Sequence, residues 1–143
     1  MAYQISAEDV WVGTIEDSPG GLAEKLEKAS KAGVNLEFMI ARRAPEEPGK
    51  GVVFLAPIGG EDAGQAAEQA GFSKWTTGHS LRIHGPDQPG LGAKIARAVA
   101  DAGASMRGAS AATLGEQVVF HLAFDSEADG EKARGALARA LNG

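Results

Sequence analysis

The chain has 143 residues, 43% hydrophobic and 23% charged, the composition of an ordinary globular protein. A net charge of −5 argues against a protein that grips a nucleic-acid backbone through a basic stripe, and the absence of cysteine excludes disulfides, thiolate metal sites and cysteine nucleophiles. No segment reaches the ~20 apolar residues of a membrane span and "MAYQISAEDV" has no secretion signal, so a cytoplasmic protein without membrane contact is expected.

Residues 9–15, "DVWVGTI", are short, β-branched and bounded by turn residues, which predicts a strand. Leu22, Leu26, Ala29 and Gly33 follow at helical spacing, with Ser18 placed to cap the helix, Pro19 at its first position and Gly33 at its end. "VNLEFMIARR" alternates Leu36, Phe38 and Ile40 with Glu37 and Met39; "APEEPGK" is a hairpin loop and "GVVFLAPI" a third strand. An Ala-rich helix over "GEDAGQAAEQAGF" and a strand at "SKWTT" complete a βαββαβ order. The second half begins again with the strand "HSLRIHG" and a helix over residues 89–102, with Leu91, Ile95, Ala98, Val99 and Ala102 on one side. Two strands joined near Leu114 and Gly115 come next, then a helix capped by Ser126 with Ala133, Leu137, Ala140 and Leu141 inward.

The halves are copies. Asp17, Pro19, Gly20, Ala32 and Gly33 recur 70 positions later as Asp87, Pro89, Gly90, Ala102 and Gly103. "VVF" recurs 66 positions on, at 52–54 and 118–120, which puts a four-residue deletion in the second hairpin. The second copy lacks a final strand, and the same spacing sets "YQIS" at 3–6 against "SKWT" at 73–76. The N-terminal segment is therefore expected to pair near Leu81 and Ile83, in its own chain or in a dimer partner, and complete the second sheet, covering an otherwise open edge.

The segments "EDSPGGLAEKLEKASKAGVNLEF" and "DQPGLGAKIARAVADAGASM", each a D-x-P-G turn, a helix ending in A-G and then a hairpin, resemble the ACT domain. The resemblance covers nearly the whole chain as two tandem copies, residues 1–77 and 78–143, with residues 1–7 assigned as the strand of the second sheet. It implies an α+β, ferredoxin-like fold, dimeric or tandem pairing, and binding of amino acids or other small molecules to regulate an enzyme. On this reading the protein is a non-catalytic regulator of a separate enzyme, it needs no cofactor, and it forms a homo-oligomer.

The turn has chemistry of its own. A helix N-terminus offers unpaired N–H groups and partial positive charge to a carboxylate. The expected ligand contacts are Asp17, Ser18, Pro19, Gly20, Gly21 and Leu22, completed by Asn35, Leu36 and Glu37. Their counterparts are Asp87, Gln88, Pro89, Gly90, Leu91, Ser105 and Met106. Asp17, Glu37 or backbone carbonyls could accept from an ammonium. Arg107 in place of Glu37 means the two sites need not bind the same molecule. The competing reading of Asp17–Gly20 is plain helix-start chemistry.

Arg82, His84 and His121 are expected on the sheet face away from the helices, as solvated or interface side chains and not a metal site. Trp11 and Trp75 read as core or interface residues, Met39 and Met106 as packing. No Ser-His-Asp order, paired carboxylates or phosphate loop is present. The first half's open face is expected to carry Val10, Val12, Val53 and Leu55 with no aromatic, which argues against RNA stacking and for a protein partner. The alternatives to a regulator are a protein-interaction module with vestigial ligand sites and an enzyme on a ferredoxin-like scaffold.

Overall fold

Twelve elements alternate along the chain in the computed structural model, which describes residues 2–31 and 33–143. Ala32, one of the repeated positions, lies outside the described residues. The chain divides into two compact units, residues 9–75 and residues 1–8 with 76–143.

The 9–75 unit runs β2 (Trp11–Glu16), α1 (Gly21–Ser30), β3 (Phe38–Arg43), β4 (Lys50–Ala56), α2 (Glu61–Gln69) and β5 (Phe72–Lys74). Its antiparallel sheet has the order β3-β4-β2-β5. Trp11, Val53, Leu55 and Phe72 meet Ala29, Ala67 and Ala70 in one core. Val53 and Leu55 therefore face the helices, which corrects their expected place on the open face. The register explains why: Trp11 stands opposite Leu55 and Gly13 opposite Val53, so all four point inward together. Gly13 has no side chain because the Phe72 ring fills the space where its Cβ would stand. The other face carries Val12 and Phe54, opposite one another, and Phe54 meets Trp75 edge-on at 6.1 Å between ring centroids. That face is thus not free of aromatics. Val10, just before β2, is buried. Met39 is 44% exposed on the edge strand β3, so it is not a packing residue, whereas Met106 packs against the second core.

The other unit comprises β6 (His79–Pro86), α3 (Leu91–Asp101), β7 (Met106–Leu114), β8 (Gln117–Phe124), α4 (Glu127–Asn142) and β1 (Gln4–Glu8). Its order, β1-β6-β8-β7, is that of the first sheet with β1 in the place of β5. β1 runs antiparallel to β6, with Ile5 opposite Ile83 and Ala7 opposite Leu81, so the missing strand does come from the N-terminal segment. Tyr3 precedes it, buried among Leu91, Ile95 and Val99 of the core. Asn142 clamps its backbone, accepting from the Tyr3 N–H (2.7 Å) and donating to its carbonyl (2.8 Å).

Ser126 caps α4 by accepting from the Asp129 N–H at 3.1 Å. Ser126→Ala is expected to lower the stability of this unit by about 1 kcal/mol in chemical denaturation, with no other change.

The histidines differ from expectation. Arg82 stands opposite His121, on the same face, but His121 is buried and its Nδ1 lies 2.7 Å from the Glu8 carboxylate. It is not a solvated side chain, because Glu8, at the end of β1, reaches over from the strand beyond β6. His84 is half-buried, and His79 packs against Gly130 of α4 with its Nε2 3.8 Å from Glu131. Among the described residues no three His, Asp or Glu side chains cluster as a metal site, and no helix is long and apolar enough to cross a membrane.

Candidate functional site

Both repeated turns are built by the same backbone bonds. In the first, the Asp17 N–H donates to the Gly49 carbonyl (3.0 Å), Gly21 to Ser18 (3.1 Å) and Glu24 to Gly20 (2.9 Å). In the second, Asp87 donates to Glu116 (2.8 Å), Leu91 to Gln88 (3.3 Å) and Lys94 to Gly90 (3.0 Å). Each helix starts from a glycine in the left-handed region, φ 88° at Gly20 and 79° at Gly90, and no side chain caps either one. This corrects Ser18 as cap and Pro19 as first helical residue. The D-x-P-G segment closes a turn before the helix, and the closure leaves the next residue at a positive φ that glycine tolerates best.

Around the first turn lies a cleft of about 450 Å³. Thr14, Ile15 and Glu16 from β2 line it, with Ser18, Pro19, Gly20 and Gly21 from the turn, Glu24, Lys25 and Lys28 from α1, and Lys50 from β4. A side chain at Gly20 would point into open space, whereas one at Gly21 would run into the carbonyl of Glu16. Glycine at 21 thus lets the helix start directly against the strand end, and glycine at 20 leaves the approach to the first amides clear.

The charges are arranged in pairs with one excess. Lys50 donates to Glu16, and that hydrogen bond, reinforced by the Glu16 charge, raises the Lys50 pKa. Lys28 lies 3.6 Å from Glu24 on the exposed helix surface, a pair of small energetic weight. Lys25 is half-buried, its ammonium 5.2 Å from the centroid of the Phe72 ring. Burial first and the Lys28 charge second lower its pKa, against a smaller opposing effect of Glu24.

Of the contacts expected from sequence, Ser18, Pro19, Gly20 and Gly21 come together in this cleft. Asp17 is turned to Arg43, whose Nε donates to its carboxylate at 2.9 Å, and Leu22 packs on the core. Asn35 and Glu37 are exposed in the segment leading to β3, Leu36 packs on the core, and none of the three lines the cleft. Sequence reasoning missed Glu16, Lys25 and Lys50. Overlaying the repeats could have found Lys25, since 70 positions on stands Ile95, a core residue.

The second turn is closed by its own chain. The Tyr3 hydroxyl donates to the Pro86 carbonyl (2.7 Å) and accepts from the Gln88 amide (2.8 Å), while its ring fills the space beside Gly85. Gly85, Pro86 and Gln88 correspond to Ile15, Glu16 and Ser18 of the cleft, and Tyr3 itself to Ser73. A tyrosine thus occupies the counterpart of the first cleft. Leu91 is in the core, Ser105 is exposed, and Asp87, Pro89 and Gly90 remain at the surface.

These turns, sheet orders and helices bear comparison with known proteins. Residues 79–143 match the ACT domain family. That segment begins at β6 and ends with the chain, so it holds the second turn but not β1. No curated protein matches the sequence. Among solved structures, the ligand-free regulatory subunit of aspartate kinase from Thermus thermophilus is similar at TM-score 0.68 and 20% identity, over 99% of this chain and 97% of that one. A Bacteroides thetaiotaomicron protein is similar at TM-score 0.76 and 15% identity, over 94% and 89%. Aspartate kinase from Synechocystis is similar at TM-score 0.67 and 17% identity, over 99% of this chain and 27% of that enzyme. At such identities the likeness is one of fold: two ferredoxin-like units, consistent with two ACT-like domains.

Proposed function

We propose that this chain is a regulatory module in which the 9–75 unit acts as a second ACT-like domain and binds a small carboxylate-bearing molecule, foremost an amino acid, at the Asp17 to Leu22 turn. The observation that carries this reading is the open cleft over Gly20 and Gly21, lined by Lys25, Lys28 and Lys50 and by Glu16 and Glu24, charges of the signs that a carboxylate and an ammonium require. The fold of regulatory subunits of aspartate kinase supports an effect on a separate enzyme. Thermal-shift screening of the chain against all proteinogenic amino acids tests it. A ligand at ~100 times its Kd should add about 2.7 kcal/mol of stability; no stabilisation by any of them would favour an interaction module instead.

The partner surface we propose is β7, paired with a second copy. Among the strand edges of the described residues it is the long uncharged one: from Gly108 to Leu114 it has no charge and no proline. The other edges are blunted, β3 by Arg42 and Arg43, β5 by its three-residue length, and β1 by Arg134, which reaches the Ile5 carbonyl at 3.5 Å. A two-fold antiparallel pairing centred on Ser110 would set Arg107 opposite Thr113, so no like charges meet. Ala111 is exposed, and Ala111→Lys is expected to shift sedimentation of the chain to a 14.7 kDa species without loss of thermal stability. A parent chain that already sediments at that mass at micromolar concentration would remove the proposal.

A further inference from the structure

We infer that Lys25 selects an anionic group in the cleft, pairing its ammonium with a carboxylate or phosphate of the bound molecule. The inference rests on the cleft being a ligand site and specifies what that site requires.

The fold does not ask for a lysine here. The equivalent residue, Ile95, is a buried core side chain, so an apolar residue would serve the packing. The Lys25 side chain passes beside Gly13, where a Cβ would lie 3.2 Å from Lys25 Cε, and its ammonium lies next to Gly71, a glycine at φ 91°. That ammonium is 5.2 Å from the centroid of the Phe72 ring, an aromatic face that favours a cation. The other lysines lining the cleft have carboxylate partners, Lys50 with Glu16 and Lys28 with Glu24. Among the described residues Lys25 makes no ion pair within 4 Å, so three lysines face two glutamates and the excess positive charge lies on Lys25. An anion arriving there gains a partially desolvated cation that surrenders no existing ion pair.

The test uses the full chain and two probes, inorganic phosphate and succinate, with sodium chloride holding ionic strength constant. Amide chemical shifts should move saturably at Gly20, Gly21 and Lys25 with at least one probe, and the tighter probe names the group as phosphate or carboxylate. Lys25→Met, which keeps the apolar stem, should weaken that binding at least tenfold at unchanged thermal stability, and Lys25→Arg should retain it. Glu16, Glu24, Lys28 and Lys50 are the other charged groups facing the site. Because the Lys25 pKa is lowered, binding should fade with rising pH before an ordinary lysine would lose its proton, and persist to higher pH in Lys25→Arg. Equal affinity in the parent and Lys25→Met overturns the inference, as does the absence of saturable shifts in the parent. An amino acid that stabilises the parent and Lys25→Met alike would leave the proposed function standing while this inference falls. If no probe and no amino acid binds the parent, both fall together.

Discussion

Deleting residues 1–6 is expected to unfold the second unit while the 9–75 unit stays folded. The deletion removes the Tyr3 ring from the core, both Asn142 bonds, the Tyr3 hydroxyl bridge between Pro86 and Gln88, and the strand positions Gln4 to Ser6 on β6. Truncation of a buried aromatic to alanine alone destabilises by about 3–5 kcal/mol. A domain is typically stable by only about 5–15 kcal/mol, and the deletion also exposes the edge of β6, so little stability should remain. Amide exchange at Leu81, Arg82 and Ile83 should accelerate by orders of magnitude. Unchanged exchange there would mean that the segment contributes nothing to the unit.

Gly21→Ala should be the most damaging small change in the first turn. The added methyl meets the Glu16 backbone carbonyl, which cannot rotate away as a side-chain tip could, so the strand end and α1 must separate. Overpacking of this sort destabilises by about 1–3 kcal/mol, and here it also displaces Glu16 from Lys50. Gly20→Ala has open space around it and meets only the positive-φ penalty of about 1–2 kcal/mol. Urea denaturation followed by the fluorescence of Trp11 and Trp75 should rank Gly21→Ala below Gly20→Ala. The reverse order would show that backbone conformation, not the close approach, governs this turn.

Much of the architecture is legible in the residues. The repeated turn and A-G helix end, with "VVF" after them, carry the βαββαβ order, and the 70-residue spacing leads from "SKWT" to the N-terminal strand. Assigning faces was harder. "VWVG" is apolar at three consecutive positions, so alternation does not say which residues point inward; Gly13 decides it, and only the position of Phe72 shows why. The turn residues of the cleft were readable because D-x-P-G recurs at the same spacing in both halves, although the same residues also fit plain helix-start chemistry. Lys25 looks like part of a solvated face among Glu and Lys on its own helix, and only its alignment with the core position Ile95 sets it apart. The closing of the second turn by Tyr3 joins residues 83 and 85 positions apart, a distance that no local pattern spans.

The pairing of β1 with β6 makes the 9–75 unit an insert. β1 and β6 are antiparallel neighbours with Glu8 opposite Ser80, the arrangement of an ordinary hairpin whose connecting loop happens to contain a whole folded unit. Replacing residues 9–79 by a two-residue Asn-Gly turn would convert that long-range pair into a local one and turn a discontinuous unit into a continuous chain. Mechanical loading follows from the same connectivity. Tension applied between the two chain ends is carried first by the unit containing residues 1–8 and 76–143, and the insert bears no load until β1 has peeled from β6. Pulled in an optical trap, the intact chain should therefore extend in an obligatory sequence, the outer unit giving way before the inner one.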